Sequence, residues 1–437
     1  MTNRTKSQRR KKLIVLSADA LVYEDLEFLE TLPNYQKYLA GGCLVRRVRS
    51  VYPTITYACH ASMASGVYPE RHGICGNLEF TPGNLTPPWK WFYDSLQFKE
   101  SIFKAAKSAG YTTGAVYWPT TGNHPYIDYL IDEYWTQFPG DTIHDAYRRS
   151  GSSREVLEII DRHSGGVVLR SHPNSDEFAV NCAIDILREY SPDLMMIHPA
   201  NIDGLRHQTG LFSREVQEEV RRTDGWIGRL MEAAEAAGAG AETNLVLTSD
   251  HGQLEIKRSV NLNVFFADHG FLTVENGSLK DWRAYCLSGG LSALVYLKDP
   301  KDQILYGEVY AALKAMAEEG IYGISQVFTE LEIRKQEHLS GDFSFVLESD
   351  GYTSFGDGWN RPAVIGYDQT DYRRGRATHG HLPHKGPQPV FVAKGPDFRE
   401  NIVLDTCRLI DEAPTYAALL GVEIPGAEGR VLTEFLT

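Results

Sequence analysis

The chain has few cysteines, no long apolar run and too little positive charge to balance its acids. Each shortage removes a class of protein. Its six cysteines, Cys43, Cys59, Cys75, Cys182, Cys286 and Cys407, are scattered and form no C-x-x-C pair. Neither a thiolate metal site nor a disulfide framework is indicated, and the pattern fits a reducing compartment. The first apolar run, Leu13–Leu16, follows the basic start MTNRTKSQRRKK. A secretory signal calls for about 7–15 apolar residues, and no later stretch reaches the roughly 20 of a transmembrane helix. These readings predict a cytoplasmic protein without a membrane partner, with a frayed basic arm ahead of a first buried strand. A net charge of -13 argues against non-specific nucleic-acid binding. An acidic protein that handles phosphate must bring in positive charge locally, and metal ions are one means. Internal repeats and low-complexity segments are also absent. What remains is ordinary for a globular protein: 437 residues, 42% hydrophobic and 23% charged. That length suits one large α/β domain with an insertion, or two domains.

The stretch Tyr52 to Asn77, YPTITYACHASMASGVYPERHGICGN, organises the rest. Pro53 keeps Tyr52 extended. Ala58 to Ser65 is small and helix-compatible, and Gly66 can end that helix in a left-handed conformation. Thr56 therefore sits at or beside a helix N-terminus, where backbone N–H groups favour an anion. Taken alone, a threonine there is far more often a helix cap than a nucleophile.

Apolar runs at Leu13–Leu16, Gly114–Trp118, Asp193–Ile197, Asn244–Thr248 and Pro389–Ala393 alternate with helical patterns. Those patterns cover Leu26–Leu39, most of 142–190 with a weak patch at Ser164–Asn174, and Ser213–Ala237. The alternation predicts a doubly wound, mostly parallel α/β sheet. From about Leu254 to Tyr372 the character changes. Short β-like pieces at Ser292–Leu297 and Phe343–Leu347 surround a helix at Tyr306–Glu319. This reads as a smaller α+β cap inserted into the core, with 1–254 and 372–437 as core and 255–371 as cap.

Acids and histidines follow the strand-like runs. Asp19 follows the first. Asp203 and His207 follow the third, spaced i, i+4 on one helical face. Asp250 and His251 follow the fourth, and His379, His381 and His384 precede the last. Any one of these could be a helix cap or an ordinary histidine. Together, at the carboxyl ends of a doubly wound sheet, they converge on one crevice. Carboxylates gathered there repel one another without a cation, and Asp with His but no Cys suits zinc, manganese or similar ions.

The motifs Y-P-T-x-T-aromatic, G-x-Y-P-E-x-H-G-I-x-x-N, D-x-x-x-H-x-x-G at Asp203, S-D-H-G at Ser249 and T-H-G-H at Thr378 resemble the nucleotide pyrophosphatase/phosphodiesterase family of the alkaline phosphatase superfamily. The resemblance runs from Asp19 to the C-terminus and skips the insertion. It implies an alkaline phosphatase-like core with two divalent metal ions, most simply zinc. One ion would take Asp19, Thr56, Asp250 and His251, and the other Asp203, His207 and His379. It further implies Thr56 as nucleophile through a phosphothreonine, and Asn77 with the Tyr57 N–H on a phosphoryl oxygen. The Tyr57 ring would stack the leaving group, with His198 as a second flank. Ala58-Cys59 replaces the family's usual Pro-Asn, and His198 stands where a second stacking tyrosine is common.

The substrate implied is a small-molecule phosphodiester, with a phosphonate or phosphomonoester as the alternative for the same metals. A non-catalytic binding protein on a decayed hydrolase fold is the alternative of another class. Specificity is expected from the cap and from the loop carrying Trp89 and Trp91. Diesters are favoured because no cation stands close to Thr56 in the sequence: Arg71 reads as solvated or paired with Glu70. A cap residue such as Arg283 or Lys298 could change that.

Overall fold

A computed structural model describes residues 11–368 and 371–437. The basic arm over 1–10 lies outside the described residues, as do 369 and 370 near the end of the expected insertion. The central feature is an eight-stranded sheet. From edge to edge it runs Val403–Arg408, Cys43–Arg49, Phe391–Lys394, Thr243–Thr248, Lys12–Ser17, Leu194–Ile197, Thr113–Val116, Tyr129–Ile131. All strands share one direction except Phe391–Lys394, which opposes both neighbours.

The first strand explains its own composition. Ile14 and Leu16 pack on one face with Phe178 and Trp226, from helices Asn174–Tyr190 and Arg214–Ala236. Leu13 and Val15 pack on the other with Cys59, Met63 and Tyr416, from helices Thr56–Ser65 and Glu412–Leu420. Successive side chains of a strand point to opposite faces, so a strand covered on both sides is apolar throughout. Each such buried Leu or Val contributes about 1.5–3 kcal/mol. The doubly wound α/β architecture is present as the sequence predicts.

Two local expectations change. Leu26–Leu39 is not one helix but two, Leu26–Leu29 and Pro33–Tyr38. Pro33 opens the second at its first turn, where its missing N–H is harmless, whereas it would break a continuous helix. The strand expected at Phe343 begins instead at Phe345 and reaches Ser349.

Beyond His251 the chain builds a second, antiparallel sheet in the order Ala284–Ser288, Ser292–Leu297, Phe345–Ser349, Ile324–Thr329. Leu305, Val309 and Leu313 of helix Gln303–Glu319 fill its core with Val295 and Phe345. The ends of this excursion meet, because Leu254–Glu255 pairs antiparallel with Ala377–Thr378. Its turn at Gly289–Leu291 presses on the main body. The Leu291 N–H donates to the His379 carbonyl at 2.9 Å. A Cβ on Gly290 (φ 85°) would meet that carbonyl at 2.6 Å, so only glycine permits the approach.

Candidate active site and metal centre

The carboxyl ends of the parallel strands deliver the site. Asp19 lies just past Lys12–Ser17, and Asp250 and His251 just past Thr243–Thr248. Helix Asn201–Thr209 carries Asp203 and His207, and His379 follows the short strand Ala377–Thr378. All are buried except Asp203, which is half-buried.

Thr56 is the first residue of helix Thr56–Ser65. Extended Ile55 precedes it, and Gly66 closes the helix at φ 73°. Thr56 is therefore inside the helix rather than its cap. Its hydroxyl stands 3.2 Å from His251 Nε2. That nitrogen is 3.1 Å from Asp250 Oδ2 and 3.6 Å from Asp19 Oδ1. The backbone leading to Thr56 is tied to the His379 segment: Gly380 N–H donates to the Thr54 carbonyl at 2.9 Å, and the Thr54 hydroxyl to the His381 carbonyl at 2.9 Å.

Ligand atoms of Asp19, Asp250 and His251 lie within 4.8 Å of one another, as do those of Asp203, His251 and His379. His251 thus belongs to both groups. His207 joins the second through Asp203, with Nε2 3.1 Å from Oδ2. Its Nδ1–H donates to the Ala377 carbonyl at 2.7 Å, which turns the Nε2 lone pair toward the crevice. Asp19 Oδ1, Asp250 Oδ2, His207 Nε2 and His379 Nδ1 are buried without a hydrogen-bond partner. Buried polar atoms are normally satisfied. Several unpartnered oxygen and nitrogen atoms facing one crevice fit divalent cations.

The electrostatics agree. Burial, then Asp203, pushes the Asp19 carboxyl well above the usual range. Burial, then Asp19, does the same to Asp250. Burial, then His379, pushes His251 down, and burial takes His379 to about 3. Burial opposes ionisation of Asp203 too, but His207 outweighs it and holds that carboxyl low. A cation among them would favour the ionised carboxylates.

The expected substrate flanks sit differently. His198 is 1% exposed, with Nδ1 3.0 Å from the Tyr117 carbonyl and Nε2 3.1 Å from Asp19 Oδ2. Both nitrogens are engaged, so the ring orients Asp19, and it stands on the wall of the same cavity as Asp19 and Thr56. The Tyr57 ring is fully buried, edge-on to Trp89 at 5.4 Å, and it is Trp89 that faces the cavity. The Tyr57 N–H donates to Asn77 Oδ1 at 3.1 Å. That contact leaves the Asn77 NH₂ to donate toward the space beside Thr56.

Sequence reasoning missed His60 and Gln253. His60 is buried, with Nδ1 2.8 Å from the Thr56 carbonyl and Nε2 3.0 Å from Ser17 Oγ. Its spacing of one helical turn from Thr56 was the available signal. Gln253 donates to Asp203 Oδ1 and, at 3.2 Å, to the Asp203 carbonyl. Ligand-orienting partners of this kind matter to metal sites.

Asp19, Thr56, Asn77 and His379 open into a cavity of about 400 Å³, walled by Trp89, Glu133, Trp135, Arg170, His172 and Tyr372 among others. Among the described residues, none from 255–371 lines it. Insertion residues line the spaces next to it: Asp357, Gly358 and Asp368 with Trp89, Trp135 and Arg170, and Leu287 to Gly289 with Asn77. Trp91 is buried behind the wall. Arg283 and Lys298 pair with Glu308 and Asp281 on the surface. Arg71 turns to the Gly426 carbonyl and Glu428, and Glu70 pairs with Arg334. The pocket cation is Arg170, its guanidinium 5.0 Å from the Trp89 ring and 4.5 Å from the Trp135 ring.

The family model for type I phosphodiesterase / nucleotide pyrophosphatase matches residues 13–380. Human ectonucleotide pyrophosphatase/phosphodiesterase family member 1 is 28% identical over 252 residues, 55% of this chain but 24% of that protein. Human family member 5 is 22% identical over 425 residues, covering 94% of this chain and 75% of its own length. The solved structure of murine family member 5 superposes with a TM-score of 0.69 at 19% identity, covering 98% of this chain and all of the other. The same murine protein in an inactive threonine-to-alanine form, in complex with AMP, superposes equally well. The fold is thus shared along the whole length, and the family match runs from the first strand past His379. With acids, histidines and Thr56 gathered where that match lies, the chain belongs to the type I phosphodiesterase / nucleotide pyrophosphatase family.

Proposed function

We propose that the protein is a two-metal phosphodiesterase that cleaves small-molecule phosphodiesters by attack of Thr56 on phosphorus. The observation that carries this reading is the Thr56 hydroxyl, 3.2 Å from His251 Nε2, beside the unpartnered Asp19 and Asp250 oxygens. Asp19, Thr56, Asp250 and His251 would hold one ion, and Asp203, His207 and His379 the other, zinc being the natural choice for this donor set. Bound there, the ions supply the positive charge that makes a threonine alkoxide accessible near neutral pH and offsets charge on the phosphoryl oxygens.

The chain's own contributions follow from its geometry. The N-terminus of helix Thr56–Ser65 favours negative charge at Thr56. Attack joins Thr56 Oγ to phosphorus and expels the alcohol, and water then cleaves the phosphothreonine. The Asn77 NH₂, aimed by the Tyr57 N–H, donates to an equatorial oxygen. Trp89 and Trp135 offer ring surface to the organic group, consistent with the AMP bound by the murine relative. The Glu133 carboxyl and the retention of Arg170 on two indole rings favour a monoanionic diester over a dianionic monoester.

Residues 255–371 form a cap that presses on His379 and Ile55 and borders the space beside Trp89, Arg170 and Asn77. All six cysteines are free thiols, which supports the cytoplasmic placement, and among the described residues no helix is long and apolar enough to cross a membrane. The test compares kcat/KM of zinc-loaded protein for bis-p-nitrophenyl phosphate, p-nitrophenyl phosphate and a p-nitrophenyl phosphonate. A preference for the diester is expected; a clear preference for either competitor sinks the diesterase reading.

A further inference from the structure

Glu133 is a half-buried carboxyl on the cavity wall. It lines the cavity together with Asp19, Thr56 and Asn77, yet belongs to neither metal-ligand group. Its Oε2 is buried without a hydrogen-bond partner. Among the described residues no Lys, Arg or His nitrogen lies in ion-pair contact with it. His198, Arg170 and His172 act on it only as charges at longer range. The Tyr57 hydroxyl lies beside it and is the one side-chain donor that acts on it. Burial pushes the carboxyl up to about 6.

A carboxyl with a purely structural role looks different in this chain. Glu412 is fully buried, and one oxygen accepts from the Thr248 hydroxyl at 2.8 Å and the other from the Tyr416 hydroxyl at 2.8 Å. An ionised carboxylate can only accept, and leaving it unmatched in a low-dielectric wall is unfavourable. Glu133 has only the Tyr57 hydroxyl beside it, and it lines the cavity into which Asp19 and Thr56 open.

We propose that Glu133 is a specificity-determining residue that accepts a hydrogen bond from an O–H or N–H donor on the organic group retained with the phosphoryl unit. The preferred substrates are then phosphodiesters of donor-bearing alcohols. This rests on the phosphodiesterase reading above and adds the chemistry of the group recognised. No covalent step is assigned to Glu133.

The test uses metal-loaded full-length protein and three p-nitrophenyl diesters of matched size: butyl (no donor), 3-hydroxypropyl (hydroxyl donor) and 3-aminopropyl (ammonium donor). The wild type is expected to favour at least one donor-bearing ester over butyl by about tenfold or more in kcat/KM, since a site built to pair a polar group rejects analogues lacking it. Glu133→Leu should abolish that preference, bringing the ratio of kcat/KM between donor-bearing and butyl esters to about one. Glu133→Gln, of the same shape, should keep a hydroxyl preference and lose an ammonium preference, which separates the two donor sources. It also keeps the question decidable should the leucine variant fail to fold. Equal treatment of all three esters by the wild type, or an equal loss on all three in the variants, would overturn the proposal. Calorimetric titration with butyl phosphate and 3-aminopropyl phosphate, and with 3-hydroxypropyl phosphate, reads the same preference without turnover. A donor preference in binding with no cleavage of any ester would sink the phosphodiesterase reading and leave this one standing.

Discussion

His198 Nε2 and Asp19 Oδ2 meet across 3.1 Å. His198 Nδ1 faces the Tyr117 carbonyl at 3.0 Å and therefore carries a hydrogen. Its Nε2 can close on Asp19 Oδ2 only if a further proton sits on the ring or on the carboxyl. The pair aims Asp19 Oδ1 into the crevice, where it has no other partner. His198→Phe keeps the ring and removes the anchor. Zinc affinity, read by chelator competition, should fall about 10–100-fold, as for other groups that orient a metal ligand, with KM little changed. A raised KM at unaltered zinc affinity would instead mean that His198 flanks the substrate.

Thr56→Ala should retain its fold and much of its metal, because the other proposed ligands remain. Its turnover of bis-p-nitrophenyl phosphate should drop about a thousandfold or more, as expected on deleting a nucleophile. Thr56→Ser should keep part of the rate. Near-normal turnover in the alanine variant would remove Thr56 from the mechanism.

In the proposed two-metal site, His379 and His207 would hold one ion together with Asp203. His379→Ala should lower the zinc content of purified protein from about two ions per chain toward one, measured by elemental analysis. Fully active wild type carrying a single ion would contradict the two-metal reading.

Glu412 gives the fold its own pH dependence. Burial raises its carboxyl from 4.5 to about 8. The folded chain therefore holds a proton that the unfolded chain releases over this window. The stability contributed is fully present below about pH 4.5 and is lost as pH rises through about 8, at up to about 1.4 kcal/mol per pH unit. For chelator-treated protein, Tm should fall across this range, and Glu412→Gln should fall less steeply. Parallel Tm curves for the two proteins would show that Glu412 is not the source.

The catalytic half of the site was legible because it is local. An acid placed directly after an apolar strand, or two ligands one helical turn apart, keeps its meaning wherever the strand goes. Asp19, Asp250 with His251, and Asp203 with His207 are such cases. Glu133 and Arg170 were not legible, because they stand in irregular segments after Tyr129–Ile131 and before Asn174–Tyr190. No periodicity marks those segments, and only the folded chain brings them to one wall. The exchange of roles between Tyr57 and Trp89 has the same origin: which ring covers which depends on how a proline-rich loop lies over the helix. The break at Pro33 was visible in the sequence but was outweighed by the apolar spacing on either side.

The bonds between Thr54 and the Gly380–His381 backbone join residues 326 positions apart. A ribosome adding about 5–20 residues per second needs on the order of tens of seconds to pass from one to the other. During that interval the segment bearing Thr56 exists without the strand that anchors it, and His251 exists without His379. A nascent chain therefore holds scattered histidines and carboxylates but no assembled metal centre. On the proposed reading, a chain cut short before Ala377 lacks both His379 and the Thr54 anchor, and it should hydrolyse no ester.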